Sequence, residues 1–543
     1  MAKKVFYDED ARQRLLAGAE ILFNAVKTTM GPKGRNVVIS KGYGSPTVTH
    51  DGVTVAKGID LPEDEETMGY KTGAELIKQA ASKMNDIAGD GTTTVTVLTY
   101  HILNEANKLI AAGHNPMQLR KGLEEATREV LVGLEKLRED IAGDSKRVAE
   151  VATISAGDAA IGELIAGVIA KVGKDGVVTV EEGQGLAMES EVVEGFTFDR
   201  GFVSPYMVTD TSRMEAVYDK PLILITDKKI SSVQEFLPIL EKVAQTGKKD
   251  LVIIAEDIEG EALGTLILNR LKGVFNTIAI KAPAFGDRRK EVLQDIAVLT
   301  GGQVISEEQG FTFENADVAM LGTARRVIVD KDNTTIIEGG GSQAALKERI
   351  SQITAQGSNA SSEYEKENFD KRRAALDGKV AVIKVGGATE TEIEEKKFRV
   401  DDAVAAVKAA LDEGIVSGGG VTLVNLASSI SGDDAGKSLL KNALVQPFVQ
   451  LMENAGLNAQ ALLAQVQSAK PGQGVNVNTP EAGLADMKKS GVVDPARVTK
   501  EAILNASSIA GTAMTMGALV VDIPEKAAPA PAGGGMDPSM MGM

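Results

Sequence analysis

The stretch Gly89-Asp90-Gly91-Thr92-Thr93-Thr94 separates two segments in which apolar residues recur at helical spacing. Its two glycines let the backbone turn sharply and leave room for a ligand. The threonines open the second helix, whose first N–H groups lack intrahelical partners and carry partial positive charge, so this point favours phosphate. A carboxylate at Asp90 repels phosphate unless a cation bridges them, and we therefore expect Mg²⁺ there. A capped turn between two helices is the alternative explanation.

The composition predicts a globular protein of several domains, because 543 residues exceed what one compact core accommodates. A net charge of −17 argues against binding to nucleic acid. The sequence contains no cysteine and therefore no disulfide or thiolate metal site, and its three histidines lack metal-ligand spacing. The first ten residues lack the apolar core of a signal peptide, and no run approaches the roughly 20 apolar residues of a membrane helix. We therefore expect a cytoplasmic protein without membrane contact.

Around the opening stretch, residues 11–29 predict an amphipathic helix that Gly31 and Pro32 end. Residues 47–55 follow a β pattern that Asp51-Gly52 interrupts, and a hairpin turn is the simplest explanation of that dipeptide. Helical patterns continue from 95 to 136.

Further along, a βαβαβ pattern predicts a largely parallel sheet flanked by helices. The predicted strands are 222–226, 251–255 and 277–281, and the predicted helices are 231–245 and 259–272. Residues 347–373 predict a long exposed helix, and an all-helical part is expected from Gly418 to about Val521.

Several motifs, in order along the chain, resemble those of the type I chaperonins, the GroEL family. Asn85–Thr94 (NDIAGDGTTT) closely resembles the nucleotide signature of that family. Similar matches are Thr29–Val37 (TMGPKGRNV), Gly286–Gln294 (GDRRKEVLQ), Val416–Gly420 (VSGGG) and Val493-Asp494-Pro495. The resemblance runs from about Ala2 to Met543 and includes a Gly/Met-rich tail.

This resemblance implies a chaperonin fold of multidomain α and α/β type, in which the chain travels outward through three domains and returns. The implied segments are an all-helical equatorial domain at 1–136 and 413–525, a small α/β intermediate domain at 137–193 and 380–412, an α/β apical domain at 194–379, and a flexible tail at 526–543.

The resemblance also implies an ATP site with Mg²⁺ and leaves K⁺ open as a further ion. In the implied roles, Asp90 ligates Mg²⁺, Asp402 orients the attacking water, and Asp51 supports both. An acid favoured by the dipole at the start of a helix is the alternative explanation of Asp402. The implied nucleotide contacts are Thr29, Met30, Gly31, Pro32, His50, Asp90, Gly91, Thr92, Thr93, Thr94, Gly418, Gly419, Asn476, Val477 and Asp494.

Two local features qualify this assignment. His50 stands where bacterial relatives usually carry lysine. Ser431–Ser438 (SGDDAGKS) nearly fits a phosphate-binding Walker A loop, but it lacks the first glycine and carries two aspartates that would repel phosphate. We interpret that segment as a solvated turn.

A second implied site is an exposed apolar surface of the apical domain that binds non-native chains. It comprises Phe202, Ser204, Tyr206, Met207, Leu237, Leu240, Leu263, Ile267 and Leu268. From helical spacing alone, such residues would be expected to face a core. Burial of apolar surface is non-directional, so an exposed patch of this kind would bind almost any unfolded chain.

The resulting hypothesis is an ATPase chaperonin of two stacked heptameric rings that works with a co-chaperonin lid of the GroES family and folds client proteins in a closed cavity. A metal-dependent hydrolase of small phosphorylated substrates is the first alternative. A passive holdase that captures clients without ATP-driven release is the second.

Overall fold

A computed structural model describes residues 2–40, 46–174, 176–183, 185–211, 213–360 and 362–523. The predicted tail at 526–543 lies outside the described residues. The helices are α1 Asp8–Val26, α2 Gly52–Gly58, α3 Tyr70–Ala88, α4 Thr92–Ala111, α5 Pro116–Leu137, α6 Ser145–Ala156, α7 Ala159–Val172, α8 Val233–Gln245, α9 Gly260–Leu271, α10 Asp287–Thr300, α11 Gln343–Asn359, α12 Glu363–Leu376, α13 Glu390–Glu413, α14 Val421–Ser429, α15 Ala435–Leu444, α16 Gln446–Asn454, α17 Ala459–Ser468 and α18 Ala496–Ala513.

The strands are shorter and are concentrated in the middle of the chain. They are β1 Lys3–Tyr7, β2 Val37–Ile39, β3 Thr47–Thr49, β4 Val177–Glu182, β5 Glu189–Phe198, β6 Ala216–Asp219, β7 Leu222–Thr226, β8 Lys229–Ile230, β9 Asp250–Ala255, β10 Asp257–Ile258, β11 Asn276–Lys281, β12 Val304–Ile305, β13 Gly322–Val329, β14 Thr334–Gly339, β15 Lys379–Val385, β16 Ile415–Ser417, β17 Gln473–Val475, β18 Leu484–Asp486, β19 Val493–Pro495 and β20 Ala518–Asp522.

The chain divides into two compact units. The first contains the described residues up to Ala166 and from Thr389 onward, and the second is Gly167–Ala388. The predicted boundary after residue 193 falls inside β5, and the one after 379 falls at the first residue of β15. Both strands belong to one sheet. The division into six segments stays a prediction.

The first unit is built mainly from helices whose apolar faces pack around a shared core. Helices α1, α3 and α4 pack against one another, and α18 packs against α3 and α4. Glycines allow α1 and α3 to approach closely, since a Cβ added at Gly18 would lie 1.8 Å from Tyr70 O, and one at Gly73 would lie 1.8 Å from Leu15 O. The expectation of an all-helical C-terminal part is wrong, because β17 pairs with β18, β16 pairs with β19, and β20 pairs with β1.

The second unit is built on a ten-stranded mixed sheet with the main order β11-β9-β7-β13-β14-β5-β15-β4. The predicted parallel strands β7, β9 and β11 are adjacent, and most of their residues are buried. The expectation of a largely parallel sheet is nevertheless too simple, because β13 pairs antiparallel with β6, β7 and β14. The long exposed helix expected at 347–373 is two helices, α11 and α12.

Within the described ranges, no helix combines the length and the hydropathy that crossing a lipid bilayer requires.

We expect Gly73→Ala to destabilise the first unit, because a methyl group placed 1.8 Å from Leu15 O must push α1 and α3 apart. Overpacking of this kind costs roughly 1–3 kcal/mol, so the thermal unfolding midpoint should fall by a few degrees. Gly517→Ala is the matched control, since an added Cβ there has nothing within 4 Å. Equal midpoints for the two variants would contradict this packing.

Candidate functional site

A cleft of about 550 Å³ opens in the first unit, within the size range of small-molecule sites. The predicted residues that line it are Thr29, Met30, Gly31, Pro32, His50, Asp51, Asp90, Gly91, Thr92, Thr93, Thr94, Asp402, Gly419, Asn476, Val477 and Asp494. Gly418 lies directly behind the lining, because a Cβ added to it would come within 2.9 Å of Asp494 Oδ1. We call this the acidic cleft, and it brings together residues that are far apart in sequence.

The turn between α3 and α4 forms one wall of the acidic cleft. Gly89 ends α3 with φ +66° and Gly91 precedes α4 with φ +82°, a left-handed conformation that favours glycine. Among the described residues, no side chain caps the start of α4. The first N–H groups of this helix are therefore available to an anion, as the sequence predicted for this turn.

Three loops meet at the threonines that begin α4. The hydroxyls of Thr29 and Thr93 are 3.1 Å apart. A Cβ added at Gly52 would lie 2.6 Å from Thr93 Oγ1 and 2.8 Å from Thr92 Oγ1. Any residue larger than glycine at position 52 would therefore push the loop that carries it away from Thr92 and Thr93 at the start of α4.

Asp51 caps a helix rather than forming a hairpin turn. Its Oδ2 accepts hydrogen bonds from Thr54 N at 2.8 Å and Thr54 Oγ1 at 2.6 Å, and its Oδ1 accepts one from Val53 N at 3.2 Å. The β pattern expected across 47–55 ends at Thr49, because the Asp51 side chain starts α2 instead. The N-cap fixes the direction in which this carboxylate faces the acidic cleft.

Asp90 is half-buried, and each of its oxygens accepts one hydrogen bond. Gly91 N donates to Oδ1 at 2.5 Å and Ser155 Oγ donates to Oδ2 at 2.8 Å. Burial raises the pKa of Asp90; the two hydrogen bonds oppose this rise, and the nearby Asp51 carboxylate adds to it. Asp90 forms no ion pair with any described residue of the chain.

Asp494 faces the acidic cleft from β19, which pairs antiparallel with β16. Burial and the neighbouring Asp90 raise the pKa of Asp494 to about 7. Two acids therefore face the same half-buried volume, where each disfavours the charge of the other. A bound cation would relieve this repulsion.

Asp402 lies in the middle of α13, so the alternative explanation as an acid at the start of a helix is wrong. The favourable dipole charge is confined to the first turn, and Asp402 is well beyond it. The side chain instead lines the acidic cleft.

His50 lines the acidic cleft close to the loop that carries Thr29. A Cβ added at Gly34 would lie 2.8 Å from His50 Cε1. Burial lowers the pKa of His50, and the positive charge of Arg399 lowers it further. Both effects disfavour the charged form of the His50 imidazole.

Asn476 and Val477 follow β17 at another wall of the acidic cleft. The Asn476 side chain is held by the backbone, since Asn478 N donates to Asn476 Oδ1 at 3.0 Å.

The acidic cleft is also lined by residues that the sequence analysis did not select, above all Ser155 on α6 and Arg399 on α13. No local motif signals them, because they reach the acidic cleft only through the packing of α6 and α13.

Within the described residues, no group of three or more His, Asp or Glu side chains could hold a metal ion alone. The acids present nevertheless fit Mg²⁺, which prefers one or two carboxylates together with water and phosphate oxygens. Asp90 is the best placed, because it is half-buried beside other acids and no cationic side chain among the described residues pairs with it.

The Walker-like segment does not contribute to the acidic cleft. Asp434 caps α15 by accepting from Gly436 N at 2.9 Å, and Lys437 Nζ pairs with Glu129 at 2.6 Å. The lysine is therefore held by a carboxylate, which supports the interpretation of this segment as a solvated turn.

The residues of the predicted apolar surface all belong to the second unit, and they differ in how far they are exposed. Tyr206, Leu237 and Leu268 are exposed, with 70%, 41% and 57% of their surface accessible. Phe202, Leu263 and Ile267 are partly buried against the core of this unit.

The expectation of exposure is wrong for the remaining three residues, Ser204, Met207 and Leu240, which are buried. Met207 and Leu240 belong to the apolar core itself. Two further apolar residues that the sequence analysis did not select, Leu271 and Val274, are exposed beside Leu268, at the end of α9 and just after it.

Comparison with protein families shows a match to a chaperonin family. The model of the TCP-1/cpn60 chaperonin family matches residues 22–524, which is most of the chain. The match confirms the multidomain α and α/β chaperonin fold, and the family is one of ATP-dependent chaperones that generally form oligomeric rings and bind unfolded proteins. The chain belongs to the TCP-1/cpn60 chaperonin family and has a chaperone function in protein folding.

Proposed function

We propose that this chain is a type I chaperonin of the GroEL kind, an ATPase that captures non-native proteins on an apolar surface of its second unit. ATP binding and hydrolysis in the acidic cleft then hide that surface and release the client into a closed cavity. The observation that carries this proposal is the convergence of Asp51, Asp90, Asp402 and Asp494 on one cleft beside an uncapped helix N-terminus.

The charge distribution supports a magnesium–nucleotide ligand rather than a free anion. The N-terminus of α4 favours phosphate, whereas the surrounding carboxylates repel it. Both preferences are met when phosphate arrives with a divalent cation. Asp90 would hold the Mg²⁺ and Asp51 would support it, and the ion would neutralise charge on the phosphate oxygens.

The remaining residues position the nucleotide and the attacking water. The N–H groups of Thr92 to Thr94 donate to phosphate oxygens, and Gly31, Gly418 and Gly419 permit a close approach of the backbone. Asn476, Val477 and Asp494 hold the nucleoside. The Asp402 carboxylate accepts a hydrogen bond from the attacking water and orients it for in-line attack.

The apolar surface supports client binding through its exposed members. Tyr206, Leu237 and Leu268 offer apolar area to a partner, and such burial contributes about 25 cal/mol per Å² without demanding a defined sequence. A single patch binds weakly. A ring of identical patches makes the contacts multivalent and raises the overall affinity.

We further propose two stacked heptameric rings, a co-chaperonin lid that competes for the same apolar surface, and K⁺ as a further ion. Light scattering measures the mass of the assembly. Client refolding with and without ATP distinguishes this proposal from a holdase, which captures clients but does not release them with ATP.

Asp402→Ala should reduce ATP hydrolysis by at least about 100-fold, because a positioned proton acceptor contributes on that order. ATP binding should change little, since Asp402 is assigned to the water and not to the nucleotide. The measurements are steady-state phosphate release and nucleotide titration. Asp412→Ala is the control, because Asp412 lies on the same helix in an exposed ion pair with Arg497 at 3.3 Å. Wild-type turnover in Asp402→Ala would rule out the assigned role.

Asp494→Asn should change the pH dependence of stability in the nucleotide-free protein. The folded-state pKa of Asp494 is raised to about 7, so the stability that its protonation contributes is present at pH 4 and is lost as the pH rises through 7. Asparagine does not ionise, and the variant should therefore gain stability relative to wild type between pH 5 and pH 8, by on the order of 1–3 kcal/mol. Thermal unfolding at pH 5 and at pH 8 measures the difference in stability between the variant and wild type. A difference that is the same at both pH values would contradict the raised pKa of Asp494.

Leu237→Glu combined with Leu268→Glu should abolish capture of an unfolded client, because both side chains are exposed and the charges oppose apolar burial. Leu263 is unsuitable for this test, since it packs against the core and a charge there would damage the fold. Suppression of client aggregation, followed by light scattering, is the measurement. Leu186→Glu is the matched control, because Leu186 is 75% exposed in the same unit but outside the proposed surface. Full capture by the double variant would discredit the surface.

A further inference from the structure

Helix α6 lines the acidic cleft although no sequence motif marks it. Its last turn contacts Asp90, where Ser155 Oγ donates to Oδ2 at 2.8 Å across a separation of 65 residues. The other oxygen of Asp90 accepts from Gly91 N, its neighbour in the chain, at 2.5 Å. The bond from Gly91 restricts only the turn that contains Asp90. The bond from Ser155 fixes the carboxylate relative to a second element.

The opposite end of α6 contacts the segment that leads into β19. Arg147 Nη1 donates to Lys488 O at 2.6 Å, and Arg147 also pairs with Glu150 at 2.7 Å. Glu150 in turn lies beside Gly491, where an added Cβ would be 3.4 Å from its side chain. This segment leads to Asp494. Helix α6 therefore contacts the loop that precedes Asp494 at one end and the side chain of Asp90 at the other.

Helix α6 also packs along α13, the helix that carries Asp402. Three of the four cleft acids are therefore positioned against one short helix: Asp90 by a hydrogen bond, Asp494 through its preceding loop, and Asp402 through helix packing. All of these contacts lie within the first unit.

We infer that α6 aligns the acids of the cleft and that Ser155 is a positioning residue, whose hydroxyl orients the Asp90 carboxylate for a magnesium-bound nucleotide. The inference rests on the proposed function, because it takes Asp90 as the magnesium ligand. Ser155 acts through Asp90 and need not touch the nucleotide.

The physical basis is the directionality of the ligating oxygens. A carboxylate whose oxygens are both hydrogen-bonded presents its remaining lone pairs in a fixed direction. Without the Ser155 hydroxyl, Oδ2 loses its donor and the carboxylate can rotate about its Cβ–Cγ bond. Loss of such an outer hydrogen bond typically weakens metal binding by about 10–100-fold.

The test is calorimetric titration of the full chain with ADP in the presence of Mg²⁺ and, separately, in the presence of EDTA. Ser155→Ala should bind magnesium–ADP about 10-fold more weakly than wild type, while its binding of metal-free ADP stays unchanged. Ser155→Thr keeps the hydroxyl and should recover most of the loss. Ser145→Ala is the matched control, because Ser145 is an exposed serine at the first residue of the same helix.

The outcomes separate this inference from the function on which it rests. If wild type binds ADP equally well with and without Mg²⁺, the proposed magnesium–nucleotide site fails. If wild type gains from Mg²⁺ and Ser155→Ala gains equally, the positioning role is overturned while the site stands. Should Ser155→Ala fail to fold, Ser155→Cys provides the same comparison, since a thiol is a weak donor; wild-type binding of magnesium–ADP by Ser155→Cys would also overturn the role.

Discussion

The carboxylates of the acidic cleft repel one another, and the fold must hold them together against this repulsion. Asp51, Asp90 and Asp494 approach one another closely enough for the charge of one to raise the pKa of the next. The fold holds them there with neutral donors, such as the backbone N–H groups at the start of α2 and the hydroxyl of Ser155. Because these donors bring no positive charge, they leave the three carboxylates with a deficit of positive charge that a divalent cation can fill. This deficit connects the local structure with the proposed use of magnesium and ATP.

The path of the chain brings the acids together. Asp51 and Asp90 come from the first segment of the first unit, whereas Asp402 and Asp494 come from the segment that returns after the second unit. Neither segment forms the acidic cleft alone, because α13 must pack onto α6 and α3, and β19 onto α6, to complete it. The second unit is therefore inserted between the two halves of the first unit.

Sequence reasoning predicted the features that depend on local physics. The turn at Gly89 to Gly91 and the buried strands β7, β9 and β11 follow from backbone freedom and apolar patterning. Features set by tertiary packing were not predictable in the same way. The antiparallel pairing of β13, the burial of Met207 and Leu240, and the contact of Ser155 with Asp90 all depend on partners distant in sequence. The family resemblance supplied the cleft acids, but it could not show what holds them.

The most direct test of the central claim is an electron cryomicroscopy structure of the full chain with magnesium and ADP. We expect a nucleotide in the acidic cleft, with its phosphates at the N-terminus of α4 and a magnesium density in contact with the Asp90 carboxylate. A nucleotide bound elsewhere, or bound in the cleft with no cation at Asp90, would contradict it.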